Sequence, residues 1–195
     1  MTENRRRLPH RYPEGKWLFV TWHLHGSLPT GLYPPPGIRA GQAFVWMDRY
    51  MDTTRHGPMY LCRPEIASIV ASSLKRGVEL GHYDLRAYAI MANHVHVLLL
   101  PKVPAQRLLG SLKGSTAHEA NRILCRTGTP FRQAESYDHW VRDERELERI
   151  TAYIENNPVK TGFSARPEDY PWSSACGGKS AAAAGTSACA TPRTS

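Results

Sequence analysis

Apolar positions fall along this chain with two alternating periods. From Trp17 to His25 β-forming residues are dense and stop at Gly26, Pro29 and Gly31, which predicts a strand and then a turn-rich loop through Pro34-Pro35-Pro36. Helical spacing takes over in 42–50 and more fully in 64–80, where Ile66, Ile69, Val70 and Leu74 repeat behind a proline suited to a first helical turn. Two β-type runs, 85–90 and 94–100, flank Met91-Ala92-Asn93 and predict a hairpin that Pro101 ends. Residues 104–124 return to helical spacing with Leu108, Leu109, Leu112, Ala117 and Ala120, and stop before Gly128 and Pro130. A last strand is expected in 131–141. From Arg142 an acidic opening turn and the stripe Leu147, Ile150, Ile154 predict a helix that Pro158 ends. Strand, helix, hairpin, helix, strand, helix is an α+β order, an antiparallel sheet covered by helices.

The 195 residues suit one domain with short extensions. The expected division is a flexible basic arm over 1–15, a domain over 16–175 and a disordered Ala-, Gly- and Ser-rich tail over 176–195. No run of about 18 apolar residues is present, so no membrane partner is expected. The first apolar patch, Trp17 to Val20, is too short for a signal peptide, which favours a cytoplasmic protein. Four widely spaced cysteines form no Cys-x-x-Cys pair and indicate no zinc knuckle.

Charge changes this picture. The formal net charge is +8, so a polyanion is the first partner to consider. The excess is local. Between Lys102 and Arg132 six bases face the single acid Glu119, whereas 135–155 holds seven acids and three bases. Candidate phosphate contacts are Arg5, Arg6 and Arg7 of the arm, with Lys102, Arg107, Lys113, Arg122 and Arg126. The competing reading is a solvated helix face.

Candidate chemistry concentrates in two places. In Asn93-His94-Val95-His96-Val97 the histidines at i and i+2 share one face of a strand while the valines enter the other. Two imidazoles so placed can hold one divalent cation through unprotonated nitrogens. His23-Leu24-His25 has the same spacing at the end of the first strand, and spacing alone does not say whether the two pairs share a site. Tyr153 and Asn157, four apart, share a helical stripe. A tyrosine beside Ile150 and Ile154 is ordinarily a core residue. As a nucleophile its phenol needs a nearby cation and a polarised electrophile, which a metal on His94 and His96 supplies, with the Asn157 amide oxygen as a neutral third ligand suited to Mg2+ or Mn2+.

The stretch Ala89-Ile90-Met91-Ala92-Asn93-His94-Val95-His96-Val97-Leu98-Leu99 resembles the His-hydrophobic-His motif of the IS200-type single-tyrosine transposases, whose usual form has Met-Pro-Asn-His-Val-His. Tyr153-Ile154-Glu155-Asn156-Asn157-Pro158-Val159-Lys160-Thr161-Gly162 resembles the tyrosine helix of the REP-associated branch. Val20 to Pro29, Tyr137-Asp138-His139 and Pro167 to Ser174 add to the likeness, which covers roughly residues 16–175. Ala92 stands where the family usually has proline, which removes no ligand.

The resemblance implies a ferredoxin-like antiparallel sheet with helices on one face, His94, His96 and Asn157 as metal ligands, and Tyr153 as nucleophile. It further implies Mg2+- or Mn2+-dependent cleavage and strand transfer of single-stranded DNA through a 5′-phosphotyrosine, on hairpins of repetitive extragenic elements, by a nucleoid-associated protein able to form a homodimer. Two other classes compete. A metal-dependent nuclease with water as nucleophile would keep cleavage in Tyr153→Phe, and a non-catalytic hairpin-binding protein would be indifferent to the loss of either His94 or Tyr153.

Overall fold

The computed structural model describes residues 12–29, 35, 37, 40–53, 57–133 and 136–177. Four strands, β1 (Leu18–His23), β2 (Tyr83–Ile90), β3 (His94–Pro101) and β4 (Tyr137–Trp140), form one sheet in the order β2-β3-β1-β4. Every pairing is antiparallel. The helices are α1 (Ala40–Thr53), α2 (Pro64–Glu79), α3 (Ala105–Ile123) and α4 (Glu144–Lys160). The α+β class and the antiparallel sheet agree with the sequence pattern. None of the described helices is long and apolar enough to cross a membrane.

Strand alternation divides the side chains between two cores. Leu18, Val20 and Trp22 of β1 and Val95, Val97 and Leu99 of β3 meet Ile66, Val70 and Leu74 of α2 and Leu108, Leu109 and Leu112 of α3. The opposite face carries Phe19 and Leu98 against Phe44 of α1 and Leu147, Ile150 and Ile154 of α4. Helices therefore cover both faces rather than one. The two central strands are buried on both sides, and α1 and α4 keep the second face from water.

A bulge in β2 serves this arrangement. Leu85 pairs with Leu99 and Ala87 with Leu98, leaving exposed Arg86 without a partner in the ladder. The extra residue reverses the alternation, so Tyr83 and Tyr88 face α2 while small Ala87 and Ala89 lie under α4 and admit it close to the sheet.

Three expectations need correction. Pro158 does not end α4 but lies inside its last turn. It sacrifices only its own missing N–H bond, because Thr161 N–H still reaches Asn157 O, and Gly162 at φ 76° with Phe163 N–H bonded to Pro158 O closes the helix in a Schellman turn. The strand expected over 131–141 is two short pairings. Arg132 bridges Leu24, and β4 begins only at Tyr137. The proposed arm of residues 1–15 is anchored at its end, since Tyr12 packs on the first core and its hydroxyl donates to Asp138. Arg5, Arg6, Arg7 and the tail beyond Gly177 lie outside the described residues.

Candidate metal centre and nucleophile

β3 places His94 and His96 on the face under α1 and α4, and both rings are fully buried. Each ring is oriented through its Nδ1. His96 Nδ1 lies 2.8 Å from Oγ1 of Thr21, its partner in the β1 register, and His94 Nδ1 lies 2.7 Å from Oδ1 of Asn93. The Asn93 amide is itself oriented by Nδ2 donating to Met51 O at 3.3 Å. Because Oδ1 only accepts, His94 carries its proton on Nδ1 and presents the lone pair of Nε2 to the site. The two Nε2 atoms are 3.0 Å apart, where two lone pairs repel unless a proton or a cation lies between them.

A third ligand type comes from α1. Asp48 is 1 % exposed, and its Oδ1 lies 3.2 Å from His96 Nε2 and 3.7 Å from His94 Nε2. Asp52, one helical turn on, approaches His94 Nε2 at 3.8 Å. Burial strongly lowers the His94 pKa, to about 3, with His96 adding to the effect, so this imidazole is neutral near pH 7. For Asp48 burial works against the charge, but His96, His94 and Lys160 outweigh it and hold the pKa below the ordinary value. Burial, reinforced by the Asp48 charge, pushes Asp52 up to about 7.

Asp48 is thus a buried carboxylate whose ionisable neighbours within ion-pair distance, among the described residues, are imidazoles. Oδ1 of Asp48, Oδ1 of Asp52 and Oδ1 of Asn157 are all buried without a hydrogen-bond partner. Orphaned oxygens beside a neutral imidazole's lone pair gather electron donors around one point, an arrangement that a divalent cation fits. Ligand atoms of Asp48, His94 and His96 lie within 4.8 Å of one another. Imidazole nitrogen with carboxylate oxygen suits a borderline to hard divalent ion.

α4 brings the remaining parts. The sequence folds as a helix here because Asp143 caps Glu146 N–H at 2.8 Å while the Glu146 carboxylate returns to Arg142 N–H at 2.9 Å, and apolar Ile150 and Ile154 hold one stripe against the sheet. That orientation sets the half-buried Tyr153 ring 5.8 Å from the His96 ring, edge-on to Phe19 and Phe44. Tyrosine and histidines therefore meet within one chain. Asn157, fully buried, turns Nδ2 rather than its oxygen toward His96 Nε2 and Asp48 Oδ2, each at 3.4 Å. A half-turn of the amide exchanges the two atoms.

The other expected residues are placed differently. β1 and β3 are neighbours and His23 faces His94 in the register, yet His23 stays outside the ligand cluster. Burial lowers its pKa to about 4, and its Nε2 has no hydrogen-bond partner. His25 is exposed. Lys113, expected as a phosphate contact, is a correction. It is 6 % exposed, donates to Ser136 Oγ at 2.8 Å and lies 3.8 Å from Asp138 Oδ1, because it occupies the inner side of α3. Lys102 is exposed and paired with Asp84 at 2.5 Å, Arg126 stacks on the Tyr60 ring, and Arg107 and Arg122 are exposed. All of α3 lies across the sheet from the histidines.

Sequence reasoning missed Asp48, Asp52, Thr21 and Lys160. The aspartates left a trace, a carboxylate pair at i and i+4 that begins in the predicted helix and ends two residues past it, and Lys160 stands seven after Tyr153 on its stripe, but nothing local ties either to the histidines.

None of the curated proteins matches the chain. A solved REP-associated tyrosine transposase bound to a REP hairpin superposes with a TM-score of 0.55 at 17 % identity, covering 89 % of this chain and 82 % of that one. A crystal structure from Deinococcus radiodurans assigned as a transposase gives a TM-score of 0.41 at 16 % identity, covering 77 % and 97 %. The first of these shares the fold. The family model described as transposase, IS200 like, matches residues 60–157, which include His94, His96 and Tyr153, and the chain belongs to that family of single-tyrosine transposases.

Proposed function

We propose that this transposase cleaves and rejoins single-stranded DNA through a 5′-phosphotyrosine on Tyr153, acting on hairpins like those of repetitive extragenic elements. The observation that carries the reading is the Tyr153 ring held 5.8 Å from the His96 ring, beside a buried cluster of carboxylate and amide oxygens without hydrogen-bond partners. The REP hairpin bound by the structural neighbour supports the choice of substrate.

His94, His96 and Asp48 would hold the metal, with Asn157 able to offer its amide oxygen. Mg2+ or Mn2+ bound there supplies Lewis acidity toward a phosphate oxygen. Thr21 and Asn93 fix the two rings so that both Nε2 atoms stay directed at that point. Phe19 and Phe44 confine the Tyr153 ring, so the phenol approaches a bound phosphate with little reorganisation. As the bond from Tyr153 Oη to phosphorus forms, the bond from phosphorus to O3′ breaks. The phenol loses one proton and the released 3′-oxygen gains one. Attack by another 3′-hydroxyl reverses the step and joins strands without a nucleotide cofactor.

The test incubates the protein with Mg2+ or Mn2+ and single-stranded hairpin DNA labelled on the 3′ side of the break, followed by a denaturing gel. Wild type is expected to retain label on the protein, and Tyr153→Phe to lose that band by more than about a thousandfold. Cleavage that persists in Tyr153→Phe without an adduct would show water to be the nucleophile. Hairpin binding unchanged by His94→Ala, with no cleavage by wild type, would show a non-catalytic protein.

A further inference from the structure

On α4 the residues Tyr153, Asn157 and Lys160 stand at i, i+4 and i+7, one stripe of the helix. Two of them belong to the site already described. Lys160, in the last turn, is exposed, and its Nζ lies 4.5 Å from the centre of the Tyr153 ring. Its stem reaches back over the ring rather than out along the helix.

Two features make this lysine more than a solvated surface charge. Among the described residues it has no ion-pair partner, although acidic side chains are frequent on α4. It is also tied to the site by position, since the ring it covers lies 5.8 Å from the His96 ring. The ammonium therefore lies against the ring of the proposed nucleophile and one ring away from the donor cluster.

We propose that Lys160 is a further catalytic residue, whose ammonium binds a non-bridging oxygen of the phosphate attacked by Tyr153 and stabilises the charge that grows there in the transition state. The inference rests on Tyr153 being the nucleophile. The phosphate would be held by the histidine and aspartate cluster and by Lys160 together. Charge developing on the phosphoryl oxygens is where a positioned cation contributes most. The same contact persists in the phosphotyrosine, so Lys160 would assist the rejoining step as well.

The experiment measures single-turnover adduct formation at saturating hairpin DNA with Mn2+, alongside the dissociation constant for that DNA, in wild type, Lys160→Met, Lys160→Arg and Lys160→Gln. Met keeps a stem that can cover the ring, so a role limited to packing predicts little change. The expected result is a maximal rate about a hundredfold lower in Met and Gln, restored to within about tenfold by Arg, with DNA affinity changed by less than about fivefold. Lys160→Met at the wild-type maximal rate with weaker DNA binding would overturn the inference and leave Tyr153 as nucleophile intact. Failure of wild type itself to form an adduct would overturn the proposed function on which the inference stands.

Discussion

Asp48 and the two histidines show how a single buried charge decides what a site can hold. At 1 % exposure the Asp48 carboxylate keeps its charge only because of the groups set against it, and that charge is what a divalent cation would bind. Asp48→Asn is therefore expected to weaken Mn2+ binding at least tenfold. Thermal melts with EDTA and with a Mn2+ series measure the loss. Wild type should gain about 2.7 kcal/mol at a hundred times its dissociation constant, and the variant far less at the same concentration. Equal metal-induced shifts in the two proteins would remove Asp48 from the ligand set. Asn93 shows the converse economy of residues, since its position immediately before His94 lets one amide both fix a tautomer and tie β3 to Met51 of α1.

At the scale of elements, α4 depends on its first turn as much as on its apolar stripe. Burial opposes ionisation of Glu146, but bonds from the Arg142 side chain and backbone and the nearby His139 overcome it and hold its pKa at about 2. A carboxyl depressed from its unfolded value of about 4.3 stabilises the fold above that value and loses the contribution as pH falls toward 2. Glu146→Gln is expected to flatten the dependence of stability on pH between about 4.3 and 2, measured by urea titration at a series of pH values. An unchanged slope would show that the Arg142 and Arg149 contacts contribute nothing. In α2, Gly77 packs directly on the Tyr83 ring, whose hydroxyl donates to Leu74 O at 2.8 Å. Gly77→Ala should destabilise by about 1–3 kcal/mol in denaturant melts although alanine favours helices, because its methyl group would overlap the ring.

Across the whole molecule the sheet separates two functions. The α2 and α3 face is a conventional core, and the α1 and α4 face mixes a core with chemistry. The basic segment 102–132, read from composition as a grip on DNA, lies mostly behind the sheet, and Lys113 within it is part of a buried network with Ser136 and Asp138. Lys113→Met is expected to cost about 3 kcal/mol of stability by leaving Asp138 short of a counter-charge. The adduct rate of the folded variant should stay within about threefold of wild type. A loss of rate with stability intact would instead make Lys113 a DNA contact. That contrast also explains what was legible. The periods marked all four strands and all four helices within a few residues, because burying one face imposes period 2 or 3.6 whatever the packing partner. They misjudged the end of α4, where a Schellman turn rather than the proline stops the helix, and the last strand, where only Arg132 and the four residues of β4 find partners.

Local spacing alone put His94 beside His96 and Tyr153 above Asn157, since neighbours on a strand face or a helix stripe are fixed by backbone geometry. It also carried the likeness to the transposase family. The meeting of those two pairs is of another kind. His96 and Asn157 stand 61 residues apart, and Asn157 and Asp48 109 apart. Their approach depends on α1 and α4 closing the same face of the sheet, which follows from Phe19 and Leu98 on the second face of β1 and β3, from the bulge at Arg86 and from the small residues it turns toward α4. No local pattern encodes a contact of that range, so the carboxylate of the metal centre became visible only in the folded chain, whereas the lysine over the tyrosine shares its helical stripe.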